Sequence, residues 1–275
     1  MSWDIVNSLL DLMRLVICLI FLSIASIYDI KFREVPNLLW IIFAPLGLAL
    51  SLTSLILNIY DRLLVFTWIV ILIIMSSLSL ALFYFGLMGG ADSKALICLA
   101  LSAPARLDVS VIRPVLRSRL QQFFPILVSI STFNNAVLIA SLLTIIIALR
   151  NLIDLIRSSD GLFKGLEGES FLKKALAFMI GYRVDARKLR SRRHYYISME
   201  EFSLERNGSI KRHLKIFRPM NASGEVKVWV PEDFEGKIWV TPGLPFLLFI
   251  EAGFIMTMLL GDIIMWLVAN LLGAL

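Results

Sequence analysis

Apolar residues run along the chain in blocks separated by short charged stretches. A helix needs roughly 20 apolar residues to cross the hydrocarbon core. Six blocks come near that length: Val6–Tyr28, Pro36–Ile59, Leu63–Phe83, Asp92–Ala103, Phe124–Leu149 and Leu244–Leu272. The pattern predicts an all-α polytopic membrane protein of about six transmembrane helices, with both termini on one side. The fourth block is the shortest, because Pro104 and Arg106 end its strictly apolar part. Asp4 and Asp11 stand where a cleaved secretory signal would carry Lys or Arg, so the first block reads as a retained span.

One region has soluble character. Between the fifth and sixth blocks, Tyr195–Arg206 and Ser209–Phe217 flank Asn207-Gly208, the strongest short-range hairpin signal. Val226–Val230 and Lys237–Val240 repeat a Lys-aliphatic-Trp-Val pattern around a turn from Pro231 to Gly236. A small antiparallel β-sheet is expected there. Arg157–Gly168 reads as a linker, and Glu169–Ile180 as an amphipathic helix near the membrane interface. The expected organisation is a membrane domain over 1–150 with spans one to five, a basic soluble insert over 151–241, and a sixth span within 242–275.

Composition fits a bilayer protein. The 275 residues are 58% hydrophobic and only 17% charged, and most Lys and Arg fall between Arg150 and Lys237. The net charge of +6 is read as a positive-inside bias beside anionic lipid, not as a nucleic-acid footprint. Lys31, Arg33, Arg150 and Arg157 put their side in the cytoplasm, against a counter-signal from Arg106, Arg113, Arg117 and Arg119. Asn207-Gly208-Ser209 and Asn221-Ala222-Ser223 would accept glycans only if the insert faced the exterior. Cys18, Cys98, His194 and His213 form no cluster spaced for zinc, and neither metal nor cofactor is expected.

Ionisable groups inside a span are expensive, so each is a functional candidate. These are Asp11, Asp29, Asp92, Glu251 and Asp262. Following the spans back and forth, Asp29 ends the first and Asp92 opens the fourth on the same side, so the two can meet. Asp11 has Arg14 one helical turn away, and Asp262 falls near the opposite face; both read as structural charges. Glu251 enters from the side of the aspartates as a third acid. Two close carboxylates share one proton, and such a dyad activates water while polarising a carbonyl. No Gly-x-Ser-x-Gly elbow, His-Glu-x-x-His pair or Cys–His couple offers another hydrolytic machinery. The plain alternative is that both aspartates cap helix ends at a wet interface.

Neighbouring residues add a resemblance. Gly89-Gly90-Ala91-Asp92, within Gly86–Lys94, resembles the Gly-x-Gly-Asp signature of membrane aspartyl proteases, with Ala91 in place of its second glycine. Asp29–Asn37 resembles the first-aspartate loop of type IV prepilin peptidases. Phe124–Val128, Asn134-Asn135-Ala136 and Thr241–Phe246 resemble the archaeal branch, the preflagellin and prepilin peptidases. The resemblance implies Asp29 and Asp92 as catalytic acids. It also implies removal of a short basic leader from pilin-like or archaellin-like precursors at the cytoplasmic membrane face. Bacterial relatives often carry a cysteine zinc module and methylate the new N-terminus; this chain lacks those cysteines, so peptidase activity alone is expected. Pro36 starts span two, Asn37 is expected to orient a loop carbonyl, and Lys94 to tune the dyad, while Lys31 and Arg33 serve as anchors. Glu34 is expected to receive a substrate lysine.

Three other readings compete. A presenilin-type or signal-peptide-peptidase-type enzyme would cut inside a span, and Tyr28-Asp29 echoes its Tyr-Asp dipeptide, yet Lys31 and Arg33 follow at once. A proton-coupled transporter would keep acids in its spans and couple them through Glu251 and Asp262, and favours internal repeats, which are not evident; the acids cluster at loop edges instead of at mid-membrane. A mere membrane anchor for the insert predicts that neither aspartate matters.

Overall fold

The computed structural model describes residues 3–106, 112, 114–116, 126–157, 161–191, 196–204, 210–216, 230–231, 234–242 and 246–273. These form two compact units, Met1–Ala140 with Pro245–Leu275, and Ser141–Leu244.

In the first unit the apolar blocks become helices α1 (Trp3–Phe32), α2 (Asn37–Leu57), α3 (Arg62–Tyr84) and α4 (Gly90–Ser102). The start of α5 (Val128–Arg157) joins them, followed by α8 (Phe246–Leu259) and α9 (Ile263–Leu271). Four helices, α1, α2, α3 and α5, are long and apolar enough to cross a membrane, and α8 with α9 makes a fifth only if that pair, bent by 59°, is one span. The expected six is therefore not reached by length. The 13 residues of α4 extend about 20 Å, short of a hydrocarbon core of about 30 Å.

Helix α4 is short because it is the core of the unit. Ala95, Leu96, Cys98, Leu99 and Ala100 are buried, and α1, α2, α3 and α8 pack around them. Its C-terminal end cannot reach water, so its carbonyls need a partner inside the protein. Arg14 of α1, only 4% exposed, provides it: Nε donates to the Ser102 carbonyl at 2.9 Å and a terminal nitrogen to the Ala103 carbonyl at 2.8 Å. Arg14 also donates to Ser51 Oγ of α2 and pairs with Asp11 at 3.0 Å, the local pair expected from the sequence. Gly47 lets α2 and α4 touch, since a Cβ there would overlap the Ser102 side chain.

The bend between α8 and α9 is likewise held by side chains. Asn135 of α5, fully buried, donates to Thr257 Oγ1 and the Gly261 carbonyl and accepts from the Ile263 N–H. Asp262 caps α9 through the Met265 N–H and accepts from Ser131 and Asn134. Gly261 takes φ +92°, which a side chain would resist. Asp262 is thus fully employed in ending one helix and starting another.

The second unit holds the rest of α5, then α6 (Phe171–Ile180), β1 (Tyr182–Asp185), α7 (Ala186–Ser191), β2 (Tyr196–Ser198), β3 (Glu200–Leu204), β4 (Ile210–Leu214) and β5 (Lys237–Pro242). One antiparallel sheet has the order β1-β5-β2 and a second pairs β3 with β4, Leu204 facing Ile210. The hairpin and the Lys237 strand expected from the sequence are present. Asn207-Gly208, Asn221-Ala222-Ser223, His194 and most of Val226–Val230 lie outside the described residues. Strand β1 was not expected; its four residues are too short to show a period. The stretch read as linker is anchored as well, because Leu162 and Leu166 are buried beside Trp239. Glu200, completely buried, joins the two sheets: it accepts a forked pair of bonds from Arg212 at 2.7 and 2.8 Å and another from the Trp239 N–H.

Candidate active site

Two chain reversals at one end of the first unit bring the proposed acids together. Helix α1 carries Asp29 in its last turn and is closed by Arg33, whose N–H donates to the Asp29 carbonyl at 3.1 Å. Arg33 has φ +58°, the one positive value outside glycine among the described residues. That left-handed turn lets the chain reverse within four residues, and Pro36 then starts α2 at Asn37 with its fixed φ.

The second reversal joins α3 to α4. Gly86, at φ +68°, turns the chain, and Gly89 caps α4. Asp92 sits at the third helical position, where its Oδ2 accepts from the Gly89 N–H at 3.0 Å. A Cβ on Gly89 would stand 2.9 Å from that same oxygen, so the glycine makes room for the carboxylate. Ala91 lies inside the first turn of α4, away from any left-handed position, which explains why alanine serves there as well as glycine. Ser79 of α3 and Ser93 of α4 exchange hydrogen bonds with each other's carbonyls at 2.9 and 3.2 Å, fixing the helix that carries Asp92.

Asp92 is buried, whereas Asp29 is half-buried. The Asp29 carboxylate lies within electrostatic reach of Asp92, and the Leu247 N–H at the start of α8 lies near the same Asp92 carboxyl. A free N–H in the first turn of a helix suits an anion. Leu247 escaped the sequence reading, because a backbone donor has no residue signature, whereas Gly86 stood in the small-residue loop read before Asp92.

The supporting residues fall in two groups. Lys94 donates to Asn37 Oδ1 at 2.7 Å, so Lys94 is engaged with the α2 start and Asn37 accepts from it. Lys31, Glu34 and Pro36 are exposed on the connection after α1, and Gly90 and Ala91 are partly buried at the α4 mouth. Glu251 is placed deeper: its Oε1 accepts from Ser23 at 2.6 Å, and Ser23 precedes Asp29 by six residues, about 9 Å along α1. Phe124-Pro125 and Gly243-Leu244-Pro245 lie outside the described residues, while Asn134 and Asn135 serve the α8–α9 bend.

Fold and site together define a multi-pass helical membrane protein with two acids where two helix ends meet. The pattern of the type IV leader peptidase family matches residues 16–149, and that of the archaeal peptidase A24 C-terminus, type II, matches residues 173–263. The chain belongs to the type IV leader peptidase family. It is similar to a preflagellin peptidase of Methanocaldococcus jannaschii, 27% identical over 259 residues, covering 92% of this chain and 95% of the relative. A preflagellin peptidase of Methanococcus voltae is 26% identical over 243 residues, covering 88% and 92%.

Proposed function

We propose that the protein is an aspartic endopeptidase that removes the short basic leader from pilin-like or archaellin-like precursors at the cytoplasmic face of the membrane, with Asp29 and Asp92 as its catalytic pair. The observation that carries this reading is the meeting of two carboxylates from separate helix ends, one of them fixed by the Gly89 N–H. The preflagellin peptidase relatives support the substrate class.

The chemistry follows from a shared proton. The ionised acid takes a proton from water as the water oxygen attacks the scissile carbonyl carbon, and the protonated acid hydrogen-bonds to the carbonyl oxygen and transfers its proton there. When the tetrahedral adduct collapses, the C–N bond breaks and the amine nitrogen receives a proton from the dyad. Such a substrate keeps its basic leader in water and its apolar helix in lipid, which brings the cleavage point to the ends of the spans. If α4 is counted as a short sixth crossing, both acids fall on the side that the positive-inside bias of Lys31 and Arg33 assigns to the cytoplasm, which supports this reading.

Co-expression with a precursor carrying a basic leader tests the reading. Asp29→Asn and Asp92→Asn are each expected to leave the precursor at full length while the variant protein accumulates normally. Cleavage retained by either variant refutes the dyad.

A further inference from the structure

Helix α6 ends beside a membrane-spanning helix at a depth that the sequence of that helix defines. From Val128 to Leu149 α5 carries no charged residue, and those 22 residues extend about 33 Å, the thickness of a hydrocarbon core. Arg150 follows, so the core ends there. Asn151 is the next residue, is almost fully buried, and donates from Nδ2 to the carbonyls of Phe178 at 2.7 Å and Gly181 at 2.5 Å. The C-terminal turn of α6 is thereby tied to the headgroup level of α5. The Arg150 guanidinium lies 4.2 Å over the Tyr182 ring just beyond, a Tyr–Arg pairing that suits a membrane boundary.

The other end of α6 leaves apolar side chains uncovered by the protein. Phe171 is 85% exposed and Leu172 69%, large apolar side chains left outside both hydrophobic clusters of this unit, although Ala177 further along the same helix is buried in one. The C-terminal part of α5 is also exposed and apolar, through Leu152, Ile153 and Ile156. Two helices joined by Asn151, both with exposed apolar side chains, at the depth where the bilayer core gives way to headgroups, have one natural occupant in common.

We infer that α6 is an interfacial helix whose first turn, Phe171-Leu172, is inserted into the lipid headgroup region of the membrane that α5 crosses. Lys173 and Lys174 follow that turn and stay outside the acyl layer, Lys173 against Glu169 and Lys174 against the Glu167 carbonyl. Insertion at this point gives the soluble unit a second attachment to the bilayer besides the covalent one through α5, and fixes its inclination to the surface.

The test uses the full chain in lipid nanodiscs. Phe171→Cys and, separately, Leu172→Cys are labelled with an environment-sensitive dye, the native Cys18 and Cys98 being buried. Ile73→Cys, on the exposed face of α3, supplies the lipid-facing reference. Bromine placed high on the acyl chains is expected to quench the dye at 171 and at 172 at least threefold more than aqueous iodide does. Iodide quenching equal to that of the free dye, with no response to brominated lipid, overturns the inference. So does a dye that becomes shielded only when another protein is added.

Discussion

Lys94 Nζ lies 2.7 Å from Asn37 Oδ1, and this bond ties the fifth residue of α4 to the first residue of α2. The two residues follow the two reversals that present Asp92 and Asp29, so the bond spans the mouth of the proposed site. It is exposed, which limits its worth to about 1 kcal/mol, a factor of roughly five in rate if it serves to hold the acids in register. Lys94→Met and Asn37→Ala are each expected to slow precursor cleavage by about that factor, and the double variant no further than either single one. Additive losses in a double-mutant cycle on cleavage rate show that the bond does not act as a unit.

Gly89 and Ala91 are expected to respond in opposite ways to small changes. Gly89→Ala drives a methyl to 2.9 Å from Asp92 Oδ2 and displaces the carboxylate, so cleavage falls by on the order of a hundredfold. Ala91→Gly restores the literal family signature but gains nothing, because residue 91 is helical; it costs about 0.5–1 kcal/mol of stability and leaves cleavage within a few-fold. Cleavage rates and thermal inactivation in detergent, measured for both variants, check the pair.

These two positions also show what can be read from a sequence. The apolar blocks gave four spans, since twenty uncharged apolar residues have few other stable uses, and the Lys237 strand and the α6 helix followed from period and composition. The proximity of Asp29 and Asp92 was an inference from counting crossings, independent of any contact. The same count had no means of showing what surrounds α4: a short apolar run reads alike beside lipid or protein, and it is the burial of Ala95, Leu96, Cys98, Leu99 and Ala100 that puts it inside the helix bundle. Glu251 had a side and no depth until Ser23 located it. Arg14 was legible as the partner of Asp11, one turn away, but its bonds to Ser102 and Ala103 join positions 88 and 89 residues apart, beyond any local pattern.

Glu169 gives the soluble unit an acid-sensitive joint. Its carboxylate is held below the usual range, first by Lys173, then by His213 and the Leu214 N–H. A carboxyl with a folded value below its unfolded one stabilises the fold above the unfolded value and loses that contribution as pH falls through the folded one. The unfolded value is about 4.3. Protection of the Leu214 amide from exchange is therefore expected to weaken as pH drops below about 4, and Glu169→Gln to remove that dependence. Equal pH profiles for wild type and variant rule out this joint.

Arg14 is expected to be the costliest single residue to truncate in the membrane unit. Its removal strips the carbonyls of Ser102 and Ala103, the Ser51 hydroxyl and the Asp11 carboxylate of a partner at once. None of these reaches bulk water easily, and breaking one side of a buried ion pair costs about 3–5 kcal/mol. Arg14→Met keeps the stem and loses every bond, so it isolates the polar contribution from the packing one. Arg14→Lys retains a charge for Asp11 but cannot reproduce the guanidinium fork, which places it between wild type and Arg14→Met. Thermal inactivation in detergent should rank wild type above Arg14→Lys and Arg14→Met lowest. Equal stability for Arg14→Met and wild type means that α4 finds its C-terminal partners elsewhere.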